Sequence, residues 1–232
     1  MTETTASLVV VAAGEGLRLE AGLHKALAPL KGRPIVEHCL RHLLPLTFLD
    51  PVILVGHPDD RQALQSLIED LPRDVQLVDG GARRQDSVRA GVEACPEDPA
   101  IVLVHDAARP FPPLEAMETL IASASRTGCA LLATPVADTL KAEEDGKVSH
   151  TVPRTDLWAA QTPQACHRNQ LLERLGQADE TGIEVTDEAS LFEQPGDEVC
   201  LVPGSPNNVK ITTMADLDLV ASQLTAAQEP SL

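Results

Sequence analysis

Residues 8–25 read LVVVAAGEGLRLEAGLHK, and the fold turns on how that stretch is parsed. Its apolar run, residues 8–11, is short enough for a buried strand, and Ala12, Ala13, Gly14 and Gly16 then leave backbone amides unshielded by side chains. A turn of that kind can cradle phosphate. The cations that follow, Arg18 and Lys25, suit a polyphosphate whose negative charge grows during reaction. The spacing excludes two common phosphate loops: a Walker A loop needs Gly-Lys-Ser/Thr after its variable residues, and a dinucleotide fingerprint needs Gly or Ala where this chain has Leu19.

Beyond the turn the pattern alternates. Residues 34–46 place Ile35, Val36, Cys39, Leu40 and Leu43 at helical spacing, with Pro34 where a helix start tolerates it. Residues 52–55 predict a strand, followed by a helix over 59–71, a strand over 75–78, a helix over 87–94 and a strand over 101–104. That order predicts an α/β fold, a doubly wound and mostly parallel sheet with helices on both faces. Ligands of such sheets bind beyond the carboxyl ends of the strands, where Gly14, Gly80, Gly81 and Asp106 all fall.

Gly80 and Gly81 precede a helix capped near Asp86 or Ser87 and offer free amides to an anion or a base edge, with Arg83 and Arg84 alongside; the plainer reading is a strand-to-helix turn. Asp106 can hold magnesium or a substrate hydroxyl, or it can cap the next turn. His105, without a partner motif, reads as structural. Arg109 is stiffened by Pro110, Pro112 and Pro113, which suits a phosphate ligand. Residues 137–152 break the alternation and read as a β-hairpin with an acidic tip and little apolar face, which calls for a partner surface. A helix over 167–178 follows, then Thr186 or Asp187 capping a short helix through Glu193. Lys210 is the only Lys or Arg from position 175 onward and alternates with Val209 and Ile211 as in a short strand entering the sheet. Asp216 and Asp218 lie on a helix over 214–228 and therefore face different ways, which does not suit a D-x-D metal site.

The turn resembles the A-A-G-x-G-x-R…K signature of nucleotidyltransferases that join a nucleoside triphosphate to a phosphorylated sugar or polyol. Further blocks continue the likeness: Gly80-Gly81-Ala82-Arg83-Arg84-Gln85-Asp86-Ser87, Val104-His105-Asp106-Ala107-Ala108-Arg109-Pro110, Asp138-Thr139-Leu140-Lys141, Thr162-Pro163-Gln164, Thr186-Asp187-Glu188-Ala189-Ser190 and Asn208-Val209-Lys210. In this order they resemble the 2-C-methyl-D-erythritol 4-phosphate cytidylyltransferases. The chain departs from that pattern at His24-Lys25-Ala26, where the family usually has Pro-Lys-Gln, and at Ala82, often acidic there.

The resemblance implies a Rossmann-like nucleotidyltransferase, one domain over 1–232 from which residues 137–153 protrude as a dimerisation arm. It implies transfer of CMP from CTP to the polyol phosphate with release of pyrophosphate, aided by magnesium. Arg18 and Lys25 would stabilise the transition state, and Arg154, from the other subunit of a homodimer, would hold the acceptor phosphate with Lys210. Ala12, Ala13, Gly14, Glu15, Gly16, Gly80, Gly81, Arg84, Ser87 and Asp106 would hold the nucleotide, and Asp106, Arg109, Thr139, Thr162 and Thr186 would line the polyol phosphate site. Cytidylyltransferases for ribitol phosphate and related polyols share the triphosphate blocks. A nucleotide-binding module without turnover is the alternative from another class.

Composition narrows the partners. A net charge of -17 over 232 residues argues against a nucleic-acid surface, whereas a small anionic substrate needs only a local basic pocket. The five cysteines, odd in number and without a C-x-x-C pair, read as small buried hydrophobes in a reducing compartment. No leader pattern and no apolar run of membrane-spanning length are present, so no membrane partner and a cytoplasmic location are expected.

Overall fold

The computed structural model describes residues 5–14 and 24–228, with side chains to 224. Arg18, Glu15 and Gly16, three of the expected site residues, lie outside the described residues.

The apolar run after the N-terminus forms β1 (Ala6–Ala12), buried along nearly its whole length. A minute hairpin, β2 (Pro29–Leu30) and β3 (Arg33–Pro34), leads into α1 (Ile35–Leu43). Then come β4 (Leu49–Gly56), α2 (Arg61–Glu69), β5 (Gln76–Asp79), α3 (Arg84–Ala94) and β6 (Ile101–Asp106). Beyond these lie α4 (Met117–Thr127), β7 (Gly128–Pro135), the hairpin β8 (Leu140–Glu144) and β9 (Lys147–Val152), and β10 (Trp158–His167). The chain ends with α5 (Arg168–Thr181), β11 (Glu198–Pro203) and α6 (Met214–Gln228).

The main sheet runs β11-β7-β10-β6-β1-β4-β5, with β1 parallel to both β4 and β6. Alternation along β1 divides the core. Leu8 and Val10 join α1, α2 and α4, through residues such as Leu40, Leu64 and Leu120, while Val9 joins Val88 and Val92 of α3 and Leu171 and Leu175 of α5. The helices therefore cover both faces, and each fully buried Leu, Ile or Val contributes roughly 1.5–3 kcal/mol. Gly91 sits where α3 approaches closest, since a Cβ there would overlap Val9 and Val55. A third, smaller cluster of Ala28, Leu30, Ile35, Ile211 and Val220 fixes α6 against the β2–β3 hairpin.

Register carries this order to the site. Ala12 pairs with Gly56, Gly56 with Asp79, and Val11 with Asp106, so the carboxyl ends of β1, β4, β5 and β6 lie in one row. The chain moves outward from β1 through β4 to β5, then crosses to the other side of β1 as β6, and that reversal is the topological switch point.

The antiparallel β10, seated between β6 and β7, was not legible as a strand. Its Gln161-Thr162-Pro163-Gln164 interrupts any apolar run, and the ladder to β7 shifts register between Ala160 and Gln164. Its buried glutamines serve as fasteners. Gln164 donates to Asp187 Oδ2 at 2.9 Å and accepts the Ala189 N–H at 2.8 Å; Gln161 donates to the Ser205 carbonyl at 2.9 Å and accepts from Asn208 at 3.1 Å. The segment after Thr186 is a 3-10 turn, Ala189–Phe192, rather than an α-helix, with Asp187 Oδ1 accepting the Ser190 N–H.

Candidate active site

At the switch point lies a cavity of about 580 Å³. Its wall contains Ala12, Ala13 and Gly14 from the end of β1, Lys25 from the following 3-10 turn, Gly80, Gly81, Arg84 and Ser87 around the start of α3, Asp106 from β6, and Lys210. These are expected site residues from five separate stretches, and the fold brings them to one place. Arg154, Arg109, Thr139, Thr162 and Thr186 do not line it.

Two details differ from expectation at the Gly80-Gly81 turn. The helix begins at Arg84, with Arg83 as N-cap and Asp86 at the third helical position, where its carboxylate accepts the Arg83 N–H at 3.0 Å; the cap does not fall at Asp86 or Ser87. The two glycine amides are also not free: Gly80 N–H donates to the Gly56 carbonyl at 2.8 Å and Gly81 N–H to Ser87 Oγ at 3.1 Å. The absent side chains serve close packing instead. A Cβ on Gly80 would run into Ala13, and one on Gly81 into Asp86. The amides of Ala13, Gly14 and Ala82 in the cavity wall have no acceptor among the described residues.

The floor of the cavity is a charge network. Arg84 places Nη2 3.1 Å from Asp106 Oδ1 and Nη1 2.6 Å from Glu188 Oε1, with a second contact to Glu188 Oε2 at 3.2 Å. Lys210 Nζ donates to the other oxygen of Asp106 at 2.7 Å. Burial alone would raise the Asp106 pKa, but the charges of Arg84 and Lys210 outweigh it and hold the carboxyl well below its usual range. Glu188 shifts the opposite way, because its fuller burial outweighs the single guanidinium beside it. Lys25 has a lowered pKa, first through burial and then through the positive charge of Lys210. No carboxylate among the described residues is in ion-pair distance of its ammonium.

Behind Asp106 a neutral hydrogen-bond relay sets the backbone. The Asp106 N–H donates to Thr162 Oγ1 at 3.1 Å, the Thr162 hydroxyl lies 3.0 Å from His105 Nδ1, and His105 Nε2 lies 2.9 Å from the Arg109 carbonyl. The carbonyl can only accept, so Nε2 carries the ring proton and Nδ1 accepts from the hydroxyl. Burial pushes the His105 pKa down to about 4, which keeps the ring neutral at neutral pH. His105 is structural, as its sequence context suggests. The Arg109 guanidinium donates to the carbonyls of Asn208 at 2.7 Å and Ala160 at 3.4 Å, tying the chain before Lys210 to β10.

Lys210 does not stand on a strand. Residues 208–210 have no ladder, and the segment is held by the Ile211 N–H to the Ala108 carbonyl at 2.8 Å and by buried Asn208 donating to the Thr162 carbonyl at 2.9 Å. Glu188, Gln161, Gln164 and Asn208 are the supporting residues that a site list drawn from sequence leaves out. The one signal for Glu188, Gln164 and Asn208 was position inside the quoted blocks, and Gln161 directly precedes one.

A doubly wound sheet with a bare turn and four cations, Lys25, Arg83, Arg84 and Lys210, at its switch point defines a Rossmann-like nucleotidyltransferase. Residues 6–226 match the family model IspD, 2-C-methyl-D-erythritol 4-phosphate cytidylyltransferase, and the chain belongs to that family. It is 38% identical over 224 residues to the 2-C-methyl-D-erythritol 4-phosphate cytidylyltransferase of Bacillus licheniformis, with 96% of each chain covered. The enzyme of that name from Bacillus pumilus is 40% identical, with 95% of this chain and 97% of the relative covered. Among solved structures, the 4-diphosphocytidyl-2C-methyl-D-erythritol synthase of Anaerococcus prevotii superposes with a TM-score of 0.85 at 28% identity, covering 96% and 97% of the two chains. The 2-C-methyl-D-erythritol 4-phosphate cytidylyltransferase of Thermus thermophilus gives 0.78 at 31%, covering 96% and 99%.

Proposed function

We propose that the cavity carries out CTP-dependent transfer of CMP to 2-C-methyl-D-erythritol 4-phosphate, a step in making isoprenoid precursors. The observation that carries this reading is the concentration of Lys25, Arg84 and Lys210 around one cavity in a chain whose net charge is -17. An anionic substrate approaching such a protein needs that local positive field.

The acceptor's phosphate oxygen attacks the α-phosphorus of CTP, the bond to the β-phosphate breaks, and pyrophosphate leaves. A phosphate monoester is already ionised near neutral pH, its second pKa being about 6, so no general base is required. Lys25, with Arg18, stabilises the charge that develops on the α-phosphoryl group and the leaving pyrophosphate. Lys210 and Arg154 hold the acceptor phosphate, while Asp106, acceptor-only because its cations keep it ionised, takes a hydrogen bond from a substrate hydroxyl. Ala12, Ala13, Gly14, Gly80, Gly81 and Ser87 form the bare wall against which the nucleotide lies. Supporting Arg154's part is the exposed hairpin β8–β9 just before it, which would reach a second copy in a homodimer.

Among the described residues no group of three or more His, Cys, Asp or Glu could hold a metal ion, and the carboxylate of Asp106 is shared by Arg84 and Lys210. That donor set fits magnesium that would be held mainly by the substrate, with Asp106 as the residue that would help to hold it, better than a cage of side chains. When bound, magnesium neutralises triphosphate charge and assists departure of pyrophosphate. Four of the five cysteines are buried, all are free, and no helix among the described residues is long and apolar enough to cross a membrane; the free thiols support a cytoplasmic location.

Pyrophosphate release across a panel of nucleotides and polyol phosphates tests the reading. CTP with 2-C-methyl-D-erythritol 4-phosphate should give the highest kcat/KM, and turnover should stop in excess chelator. Equal turnover with ATP, or preference for ribitol 5-phosphate, would overturn it.

A further inference from the structure

We infer that His24 and Asp60 form a clasp that positions Lys25 for cytidylyl transfer, an inference that rests on the transition-state role given to Lys25 above. Asp60 occupies the N-cap of α2, where a carboxylate ordinarily accepts an N–H of the first helical turn. Here it makes no such bond. Its Oδ2 lies instead 2.7 Å from Nδ1 of His24, 36 residues earlier in the chain, and both side chains are only 13% exposed. A second imidazole braces the contact. His57 packs on His24 with ring centroids 4.3 Å apart, and its Nδ1 accepts the Asp59 N–H at 3.2 Å.

The clasp sits at the point that governs where Lys25 goes. His24 is the N-cap of the 3-10 turn Lys25–Leu27 and accepts the Leu27 N–H at 2.9 Å, but its side chain makes no local cap bond. Nor does a nearby carboxylate hold the Lys25 ammonium, which faces the positive charge of Lys210. Its placement therefore depends on its backbone. His57 and Pro58 line the same cavity as Lys25, so the contact from His24 to Asp60 ties the lysine turn to the segment after β4 that forms part of the cavity wall. Misplacing a reacting group by about 1 Å can cost on the order of 100-fold in rate.

The backbone of His24 provides a specific test. Its φ of -63° is the value a proline ring imposes covalently, and its ψ of 144° lies in the extended region that proline favours. The clasp thus achieves through a long-range side-chain contact what a ring achieves locally, and His24→Pro should make Asp60 dispensable.

The experiment measures kcat and KM for CTP and acceptor in the full chain carrying Asp60→Ala, His24→Ala, His24→Pro, and Asp60→Ala with His24→Pro, beside Lys25→Ala. Asp60→Ala and His24→Ala should each lower kcat about tenfold or more while both KM values move by less than about threefold. His24→Pro should keep kcat within about threefold of the parent, and the double variant should match it. A parental kcat in Asp60→Ala, or a loss equally large in the proline background, would overturn the clasp. The Lys25→Ala arm separates the two levels: normal turnover there breaks the assignment of Lys25, whereas an inactive Lys25→Ala beside a fully active Asp60→Ala breaks the clasp alone.

Discussion

Lys210 Nζ lies 2.7 Å from Asp106 Oδ2, so the one cation of the last quarter of the chain rests on the carboxylate of β6 rather than on a surface acid. Asp106 keeps Arg84 as a second partner, and loss of Lys210 therefore does not leave a buried carboxylate unpaired. Lys210→Gln should accordingly fold normally and bind CTP nearly as before, while the acceptor loses a charge-assisted contact of about 1.5–3 kcal/mol, or roughly 10-fold to 100-fold in KM. Steady-state kinetics with each substrate varied in turn will check this. Unfolding of the variant, or unchanged KM for both substrates, would make Lys210 a structural ion-pair partner.

Glu188 closes the other end of the same network. Its carboxylate is 3% exposed and faces Arg84 through two contacts. Glu188→Ala leaves the guanidinium its pair with Asp106 but removes two of its hydrogen-bond acceptors in a buried setting, a loss of about 1–3 kcal/mol. Glu188→Gln retains an acceptor oxygen and should cost less. Urea unfolding at neutral pH reads both, and equal stabilities for the parent and the Ala variant would contradict the pairing.

The contrast between these two residues marks how far the sequence could be read. β1, β4 and β6 were legible because strands covered on both faces must be continuous apolar runs, and the helices between them carry the complementary spacing. β10 was not, because Gln161, Thr162 and Gln164 are buried yet satisfied by loops around Asp187 and Asn208, a pairing that no local pattern announces. Arg84, Asp106 and Lys210 could be nominated for the site from their blocks. That they neutralise one another, and that Glu188 lies beneath them, is tertiary information. The contact of His24 with Asp60 is hidden for the same reason, since an Asp opening a helix reads as a cap.

His105 gives a pH signature with a definite sign. Burial, the largest influence, outweighs the carbonyl of Arg109 and lowers its pKa to about 4. The folded protein thus favours the neutral ring more than the unfolded chain does. Its contribution to stability is complete above the unfolded value of about 6.5 and is lost as pH falls toward 4. His105→Gln cannot titrate, so the stability gap between parent and variant should narrow by about 3 kcal/mol between pH 7 and 4. A gap independent of pH would show that the ring is protonated or solvated in the fold. NMR of the imidazole offers a second check, since Nδ1 of His105 should stay unprotonated from pH 7 down toward 4.

The hairpin supplies the last prediction. β8 and β9 pair only with each other, as a sheet of two strands apart from the main one. Such a ribbon is marginal in water without a surface to pack on, and it exposes Val148 at 65%, with Trp158 at 41% beyond its end. Arg154 follows the second strand, is exposed, and does not line the cavity of its own chain. If the arm lies across a second copy, each active site takes Lys25 from one chain and Arg154 from the other. Arg154→Ala and Lys25→Ala proteins would then each be inactive alone, while half of the dimers formed by random exchange of an equal mixture would carry one intact site in two. Activity should recover to about a quarter of the parental value. Exchange can be followed independently with a tagged subunit, and no recovery after exchange is complete would show that each cavity works with residues of a single chain.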